Sequence, residues 1–180
     1  MRRLRSILIV VAVLGVSLSA KDLLIVDTSG SVTSHAQEVT EMVRSYLKTH
    51  QNVLAFSSKP YFVKSEKDLQ FGGSTALSLA LDEIEPIGRN FYITIVTDGE
   101  PDNNLEAIKA AHKLRKSGVK ICAVYVSNNH NVPEVLNAIA DKTFSVNQFS
   151  KAIYECSAIK DELIGVEAVH KHVDINKYQF

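Results

Sequence analysis

Short apolar runs alternate along this sequence with longer segments in which apolar residues recur every three or four positions. The clearest runs cover residues 23–26, 91–96 and 119–126, and each is followed by a turn and then by a segment of helical periodicity. Such runs are typical of strands buried on both faces of a parallel sheet. Strands joined by helices in this way predict a doubly wound α/β fold, with a mostly parallel sheet and helices on both faces.

Six strands and five helices are predicted from this pattern. The strands are residues 23–26, 52–56, 61–63, 91–96, 119–126 and 143–146. The helices are residues 34–49, a segment from Thr75 to a stop at Pro86 and Gly88, and then residues 105–116, 133–140 and roughly 147–160. The apolar side of the last helix consists of Phe149, Ala152, Ile153, Cys156 and Ile159. The second and third strands are separated by a turn too short for a crossover, so this pair is predicted to be antiparallel.

Local signals set the predicted ends of these helices. Thr33 or Ser34 is a suitable N-cap for the first helix. Thr75 is predicted to begin the second helix. Gly118 stands where a glycine commonly ends a helix, and Pro133 fits the first turn of the next one.

The first strand runs into a carboxylate that is followed by hydroxyls at alternate positions. Asp27 is followed by Ser29 and Ser31, and Gly30 relieves the sterics of the turn between the two serines. In extended backbone, alternate side chains point to the same side, so these three side chains can share one small space. One carboxylate and two hydroxyls suit a cation that prefers oxygen, such as Mg²⁺ or Mn²⁺, over zinc. Alone, the pattern fits a polar turn before a helix equally well.

A second apolar run, residues 91–96, also ends in an acid, Asp98, and a turn. In doubly wound sheets, ligands bind beyond the carboxyl ends of the strands. If the two strands are neighbours, Asp27 and Asp98 face one crevice. Thr75 follows Gly72 and Gly73 and can reach the same place, although a glycine pair before a helix is also a common flexible hinge.

Together these residues resemble the metal-ion-dependent adhesion site (MIDAS) of the von Willebrand factor type A domain, which is also the integrin inserted-domain fold. The family pattern is Asp-x-Ser-x-Ser, then a distant Thr and a distant Asp. Here those positions are Asp27, Ser29, Ser31, Thr75 and Asp98. Residues 54–57, 72–75 and 97–101 also resemble family segments. The resemblance runs from about Lys21 to about Ile159 and does not cover residues 161–180.

The resemblance implies a strand order of 3-2-1-4-5-6, which places the strands of Asp27 and Asp98 side by side. It implies that Ser29 and Ser31 bind Mg²⁺ or Mn²⁺ directly, while the other three residues bind it directly or through water. The open coordination position then attracts a carboxylate from a partner protein. In some members of the family, ligand binding shifts the final helix.

The first 20 residues differ in kind from the rest of the chain. Arg2, Arg3 and Arg5 precede an apolar stretch at 7–18, and small residues precede Lys21. This is the pattern of a signal peptide, cleaved after position 19 or 20, because its apolar core is shorter than the roughly 20 residues of a spanning helix. The alternative is a short N-terminal anchor, which leaves the domain on the same side of the membrane.

We therefore expect an exported protein, either periplasmic or secreted. Residues 1–20 form the signal peptide or anchor, 21–160 the von Willebrand factor type A domain and 161–180 a C-terminal tail. An oxidising compartment allows a disulfide between Cys122 and Cys156, and two buried free thiols are an equally good interpretation of the pattern.

The leading functional interpretation is a binding module that uses a divalent cation to capture an acidic group of a protein partner, with no small-molecule cofactor. A formal net charge of zero argues against nucleic acid as the partner. The residues Glu100, Asp102, Asn103 and Asn104 form either a polar rim that tunes the ligand or a solvated loop and helix cap.

Two other classes of function are weighed against this interpretation. A magnesium-dependent phosphotransfer enzyme normally has a second acid two residues after the first, where this chain has Ser29. The sequence has no Gly-x-Ser-x-Gly elbow, Walker loop or dinucleotide fingerprint, so we expect a protein that is not an enzyme. The other alternative is a structural or assembly subunit of an envelope complex at the membrane periphery.

Overall fold

A computed structural model describes residues 21–84, 91–99, 101–127 and 131–158. The strands are β1 (Lys21–Asp27), β2 (Val53–Phe56), β3 (Pro60–Val63), β4 (Phe91–Thr97), β5 (Lys120–Tyr125) and β6 (Lys142–Ser145). The α-helices are α1 (Ala36–Tyr46), α2 (Leu77–Asp82), α3 (Asn104–Lys116), α4 (Glu134–Ile139) and α5 (Phe149–Ser157). Short 3₁₀ helices cover Ser31–His35, Glu66–Asp68 and Val146–Gln148.

The described strands form one six-stranded sheet in the order β3-β2-β1-β4-β5-β6. β1 lies at the centre and pairs in parallel with β2 and β4, with Val26 opposite Val96. β3 is the antiparallel edge strand, and the remaining pairs are parallel. The predicted fold class, strand order and antiparallel edge are confirmed.

Two helical layers cover the sheet, and the alternation of side chains along β1 explains why its sequence is continuously apolar. Leu24 and Val26 pack into the cluster that contains the buried residues of α1 and α5. Leu23 and Ile25 point to the opposite face and pack with residues of α2, α3 and α4. Each fully buried aliphatic side chain of this kind contributes about 1.5–3 kcal/mol relative to exposure.

The predicted start of the first helix is wrong. Neither Thr33 nor Ser34 is its N-cap, because the backbone is already helical at Gly30 (φ −61°, ψ −32°) and both residues lie inside a 3₁₀ helix. An N-cap needs extended backbone to direct its side-chain oxygen at the free amides. α1 begins at Ala36 after His35, which forms no side-chain capping bond.

The predicted start of the second helix at Thr75 is also wrong. α2 begins at Leu77, and the amide of Thr75 is bound by the carboxylate of Asp102 instead. The helix ends at Asp82, before the predicted stop. Pro86 and Gly88 lie outside the described residues.

The predicted end of α3 and the predicted start of α4 are close to the observed ones. Gly118 follows α3 with φ +92°, so the predicted glycine stop is confirmed. Pro133 is the N-cap residue of α4 rather than part of its first turn. Ile159, the segment 1–20 and the tail 161–180 lie outside the described residues. Within the described ranges, no helix has the length and apolar character needed to cross a membrane.

Cys122 and Cys156 are both buried, and both are free thiols in the structure. The Cys156 thiol donates a hydrogen bond to the carbonyl of Ile93 at 3.4 Å. Hydrogen bonding with Cys122 raises the pKa of the Cys156 thiol far above its ordinary value, and burial raises it further. Through this bond the buried Cys156 ties α5 to β4 of the sheet.

Candidate metal centre

The central pair of parallel strands brings together the two acids predicted for the site. Asp27 is the last residue of β1, and Asp98 follows the last residue of β4. Since β1 and β4 are parallel neighbours, their carboxyl ends open onto the same edge of the sheet. The acids reach this edge from strands whose sequence positions are far apart.

Asp27 is completely buried, and both of its carboxylate oxygens accept hydrogen bonds. Oδ1 accepts from the amide of Ser29 at 2.8 Å, and Oδ2 accepts from the hydroxyl of Thr97 at 2.6 Å. Burial raises the pKa of Asp27, the bonds from Thr97 and Ser29 oppose that effect, and the charge of Asp98 raises the pKa further. A cation bound nearby would favour the ionised form of Asp27.

Ser29 and Ser31 connect this buried acid to the more accessible one, through the Ser29 amide and then through the two serine hydroxyls. Ser29 Oγ lies 3.0 Å from Ser31 Oγ, and Ser31 donates to Asp98 Oδ1 at 3.0 Å. Neighbouring ligands of an octahedral Mg²⁺ at about 2.1 Å are separated by about 3.0 Å. The oxygen spacing along this chain is therefore compatible with adjacent ligands on one ion.

The donor set is made mainly of hydroxyls. In the part of the chain that the structure describes, no group of three or more His, Cys, Asp and Glu side chains could hold a metal. The candidate centre has two such residues, Asp27 and Asp98, and it depends on Ser29 and Ser31 for its other oxygens. This composition suits a hard cation and leaves much of the ion's charge unneutralised.

Thr75 is placed near the centre through its backbone. Its amide donates to Asp102 Oδ1 at 2.8 Å, and its carbonyl accepts from the amide of Asp102 at 3.0 Å. Among the described hydrogen bonds, none joins the Thr75 hydroxyl to Asp27, Ser29, Ser31 or Asp98. The structure therefore links four of the five predicted site residues in one hydrogen-bonded chain and brings in the fifth by its loop.

The glycine pair before Thr75 marks a close backbone contact. Gly30 donates its amide to the carbonyl of Gly73 at 3.0 Å, and Gly72 donates to the carbonyl of Thr28 at 2.8 Å. Gly73 has φ +86°, and a Cβ there would lie 2.7 Å from Ser58 Oγ. The loop is thus fixed against the segment that follows β1.

Sequence reasoning missed two residues that organise this centre. The role of Thr97 in holding Asp27 was not predicted, and Asp102 was assigned to a polar rim or cap rather than to the Thr75 loop. The cap prediction does apply to Asn103, whose Oδ1 accepts from the amide of Glu106 at 3.1 Å. The available signal for Thr97 was a hydroxyl at the carboxyl end of the strand, directly before Asp98.

Solved structures share this architecture. Proximal thread matrix protein 1 from the mussel byssus, with a zinc-occupied MIDAS motif, aligns with a TM-score of 0.55 at 18% identity over 76% of this chain and 44% of that chain. Manganese-loaded TRAP protein of Plasmodium vivax aligns with a TM-score of 0.56 at 18% identity, over 73% of this chain and 71% of that one. The chain has a von Willebrand factor type A (VWA) fold.

Structural similarity at 18% identity shows the fold alone, so any activity has to be argued from the site. The alignment spans less than half of the length of the mussel protein. No protein-family model matches the sequence, and no curated protein matches it.

Proposed function

We propose that this VWA domain is an exported binding module that holds Mg²⁺ or Mn²⁺ and uses the ion to capture a carboxylate of a partner protein. The observation that carries the proposal is the oxygen chain from Ser29 through Ser31 to Asp98, which begins beside the buried carboxylate of Asp27. The zinc and manganese named for the two solved relatives support a divalent cation in this fold.

Each residue has a distinct part in this proposal. Asp27 orients Ser29 through its backbone amide and supplies negative charge behind the two hydroxyls. Ser29 and Ser31 would bind the ion directly, and Asp98 and Thr75 would complete its surroundings directly or through water. When bound, the ion supplies a positively charged position for an anionic oxygen. Neutral hydroxyl ligands preserve that charge, which is why a partner carboxylate is the expected ligand.

The geometry of Asp27 argues against phosphotransfer chemistry. A nucleophilic carboxylate must present a free oxygen to its substrate. Asp27 is completely buried, and its two oxygens are used by Ser29 and Thr97. Export follows from the signal-like pattern of residues 1–20 and is part of the proposal.

A structural role in an extracellular or envelope assembly is the second candidate. It is favoured by one observation, the shared fold of a mussel protein described as a thread matrix protein. The metal experiment below separates the two candidates, because a purely structural role does not need an ion at this centre.

The test is calorimetric titration of Mg²⁺ into the metal-stripped protein. We expect saturable binding of one ion, lost in Asp98→Asn and retained in Glu41→Gln. Both substitutions neutralise one carboxylate, and Glu41 is an exposed residue of α1, about ten positions away from Ser31 along the helical segment. Equal loss in the two variants would mean that overall charge, and not the proposed centre, governs binding.

Carboxylate capture is tested by repeating the titration in sodium acetate and in sodium chloride of equal ionic strength. Tighter apparent Mg²⁺ binding in acetate is expected, because metal and carboxylate stabilise one another's binding. Metal binding that acetate does not change would remove the capture part of the proposal. Failure to bind Mg²⁺ in either salt would leave the structural role.

A further inference from the structure

Asp102 connects the loop that carries Thr75 to the loop that carries Asp98. It lies four positions after Asp98, in the loop between β4 and α3. Its side chain accepts from the amide of Thr75 at 2.8 Å, while its own amide donates to the carbonyl of Thr75 at 3.0 Å. These two bonds hold Thr75 by its amide and by its carbonyl, one on each side of its Cα.

The rest of the Thr75 loop has separate anchors. The carbonyl of Gly73 accepts from the amide of Gly30, and the amide of Ala76 donates to the carbonyl of Ser57 at 2.9 Å. Helical hydrogen bonding does not fix Thr75, because α2 starts two residues later at Leu77. Among the hydrogen bonds of the described residues, those of Asp102 join the backbone of Thr75 to the loop of Asp98.

We propose that Asp102 is a positioning residue for the metal centre, holding Thr75 so that its hydroxyl and the Asp98 carboxylate approach the cation as one unit. This inference rests on the proposed function. Asp102 acts through its hydrogen bond to Thr75 and does not ligate the ion. Groups that hold metal ligands in place typically change metal affinity by about 10–100-fold when they are removed.

Two substitutions separate this role from a simple electrostatic one. Asp102→Ala removes the acceptor for the Thr75 amide, whereas Asp102→Asn retains an oxygen acceptor and removes the charge. The backbone bond from residue 102 to the Thr75 carbonyl is available in both variants. Glu41→Gln on α1 is the control for the loss of one negative charge.

The experiment is Mg²⁺ titration of the full chain by calorimetry, together with amide hydrogen exchange of the metal-free protein. We expect Asp102→Ala to weaken Mg²⁺ binding at least about tenfold. Asp102→Asn and Glu41→Gln should stay within about threefold of wild type, since neither loses a ligand-positioning bond. Exchange of the Thr75 amide should accelerate in Asp102→Ala and stay near the wild-type rate in Asp102→Asn, because only alanine leaves that amide unbound.

Two results would overturn the inference while leaving the proposed function intact. One is wild-type Mg²⁺ affinity in Asp102→Ala. The other is equal weakening in the Asn and Ala variants, which would assign the effect to charge. A wild-type protein that binds no Mg²⁺ would overturn the proposed function and this inference together.

Discussion

Replacing Thr97 with valine tests whether its hydroxyl stabilises the buried carboxylate at the end of β1. Thr97 is 1% exposed, and its hydroxyl donates to Asp27 Oδ2 at 2.6 Å. The same hydroxyl accepts a longer bond, 3.3 Å, from the amide of Gly99. Valine has nearly the same shape as threonine, so Thr97→Val removes these bonds without opening a cavity.

The expected loss of stability follows from these contacts. A hydrogen bond to a charged group contributes about 1.5–3 kcal/mol, and leaving a buried acceptor unpaired accounts for much of that cost. The methyl group that replaces the hydroxyl returns less than about 1 kcal/mol through burial. We therefore expect Thr97→Val to lower the free energy of unfolding by about 2 kcal/mol at pH 7.

The loss should depend on pH, with a sign set by Asp27. Burial raises the folded-state pKa of Asp27 above 3.8, and the Thr97 bond opposes that rise, so valine should raise this pKa further. A raised folded-state pKa gives stability that is present below the unfolded-state pKa and lost as pH rises through the folded-state value. The loss of stability in Thr97→Val should accordingly be largest at neutral pH. It should shrink as the pH falls towards the pKa of Asp27 in the unfolded chain.

Urea unfolding in the presence of a chelator, at pH 7 and near pH 4, measures this deficit. Thr94→Val is the matched control, because Thr94 is also buried on β4 but interacts with the thiol of Cys156 instead of a carboxylate. A Thr97→Val protein as stable as wild type at pH 7, or a deficit that is the same at both pH values, would refute the reasoning.

Two further predictions concern buried residues that are not part of the candidate centre. The Tyr46 hydroxyl is buried without a hydrogen-bond partner among the described residues, and burial raises its pKa. Tyr46→Phe should therefore raise the free energy of unfolding by about 1 kcal/mol at pH 7. Because phenylalanine does not ionise, the variant should also lose less stability than wild type as the pH rises above 10.0. Thermal melts at neutral and alkaline pH measure both effects. Cys122 and Cys156 should resist a thiol reagent in the folded protein, and non-reduced protein should yield two thiols after denaturation; a yield of none would indicate a disulfide.

The strands could be predicted well because their determinants are local. Asp27 and Asp98 each follow a short apolar run of the kind that central strands of a parallel sheet have, and turn signals bound both runs. Once the resemblance supplied the strand order, the meeting of the two acids followed. The helix starts were harder to predict, because contacts from elsewhere in the chain determine them.

Thr75 and Thr97 illustrate that difficulty. A threonine after two glycines predicts a helix start, but Asp102 binds the Thr75 amide from 27 positions away. The bond between Thr97 and Asp27 spans 70 positions. Residue type indicates that each group needs a partner, and the partner's identity depends on which loops the fold brings together.

The direction of β1 places the start of the described chain and the candidate centre at opposite ends of the sheet. The strand runs from Lys21 to Asp27, so its first residue lies roughly 20 Å from the candidate centre, at about 3.3 Å per residue. Near its C-terminal end, α5 places Cys156 against Ile93, which pairs with Leu23 close to the start of β1. Both ends of the described chain therefore leave from the pole opposite the centre. A tether joined directly to Lys21 or to Ala158 would therefore leave the candidate metal centre on the side facing away from the attachment.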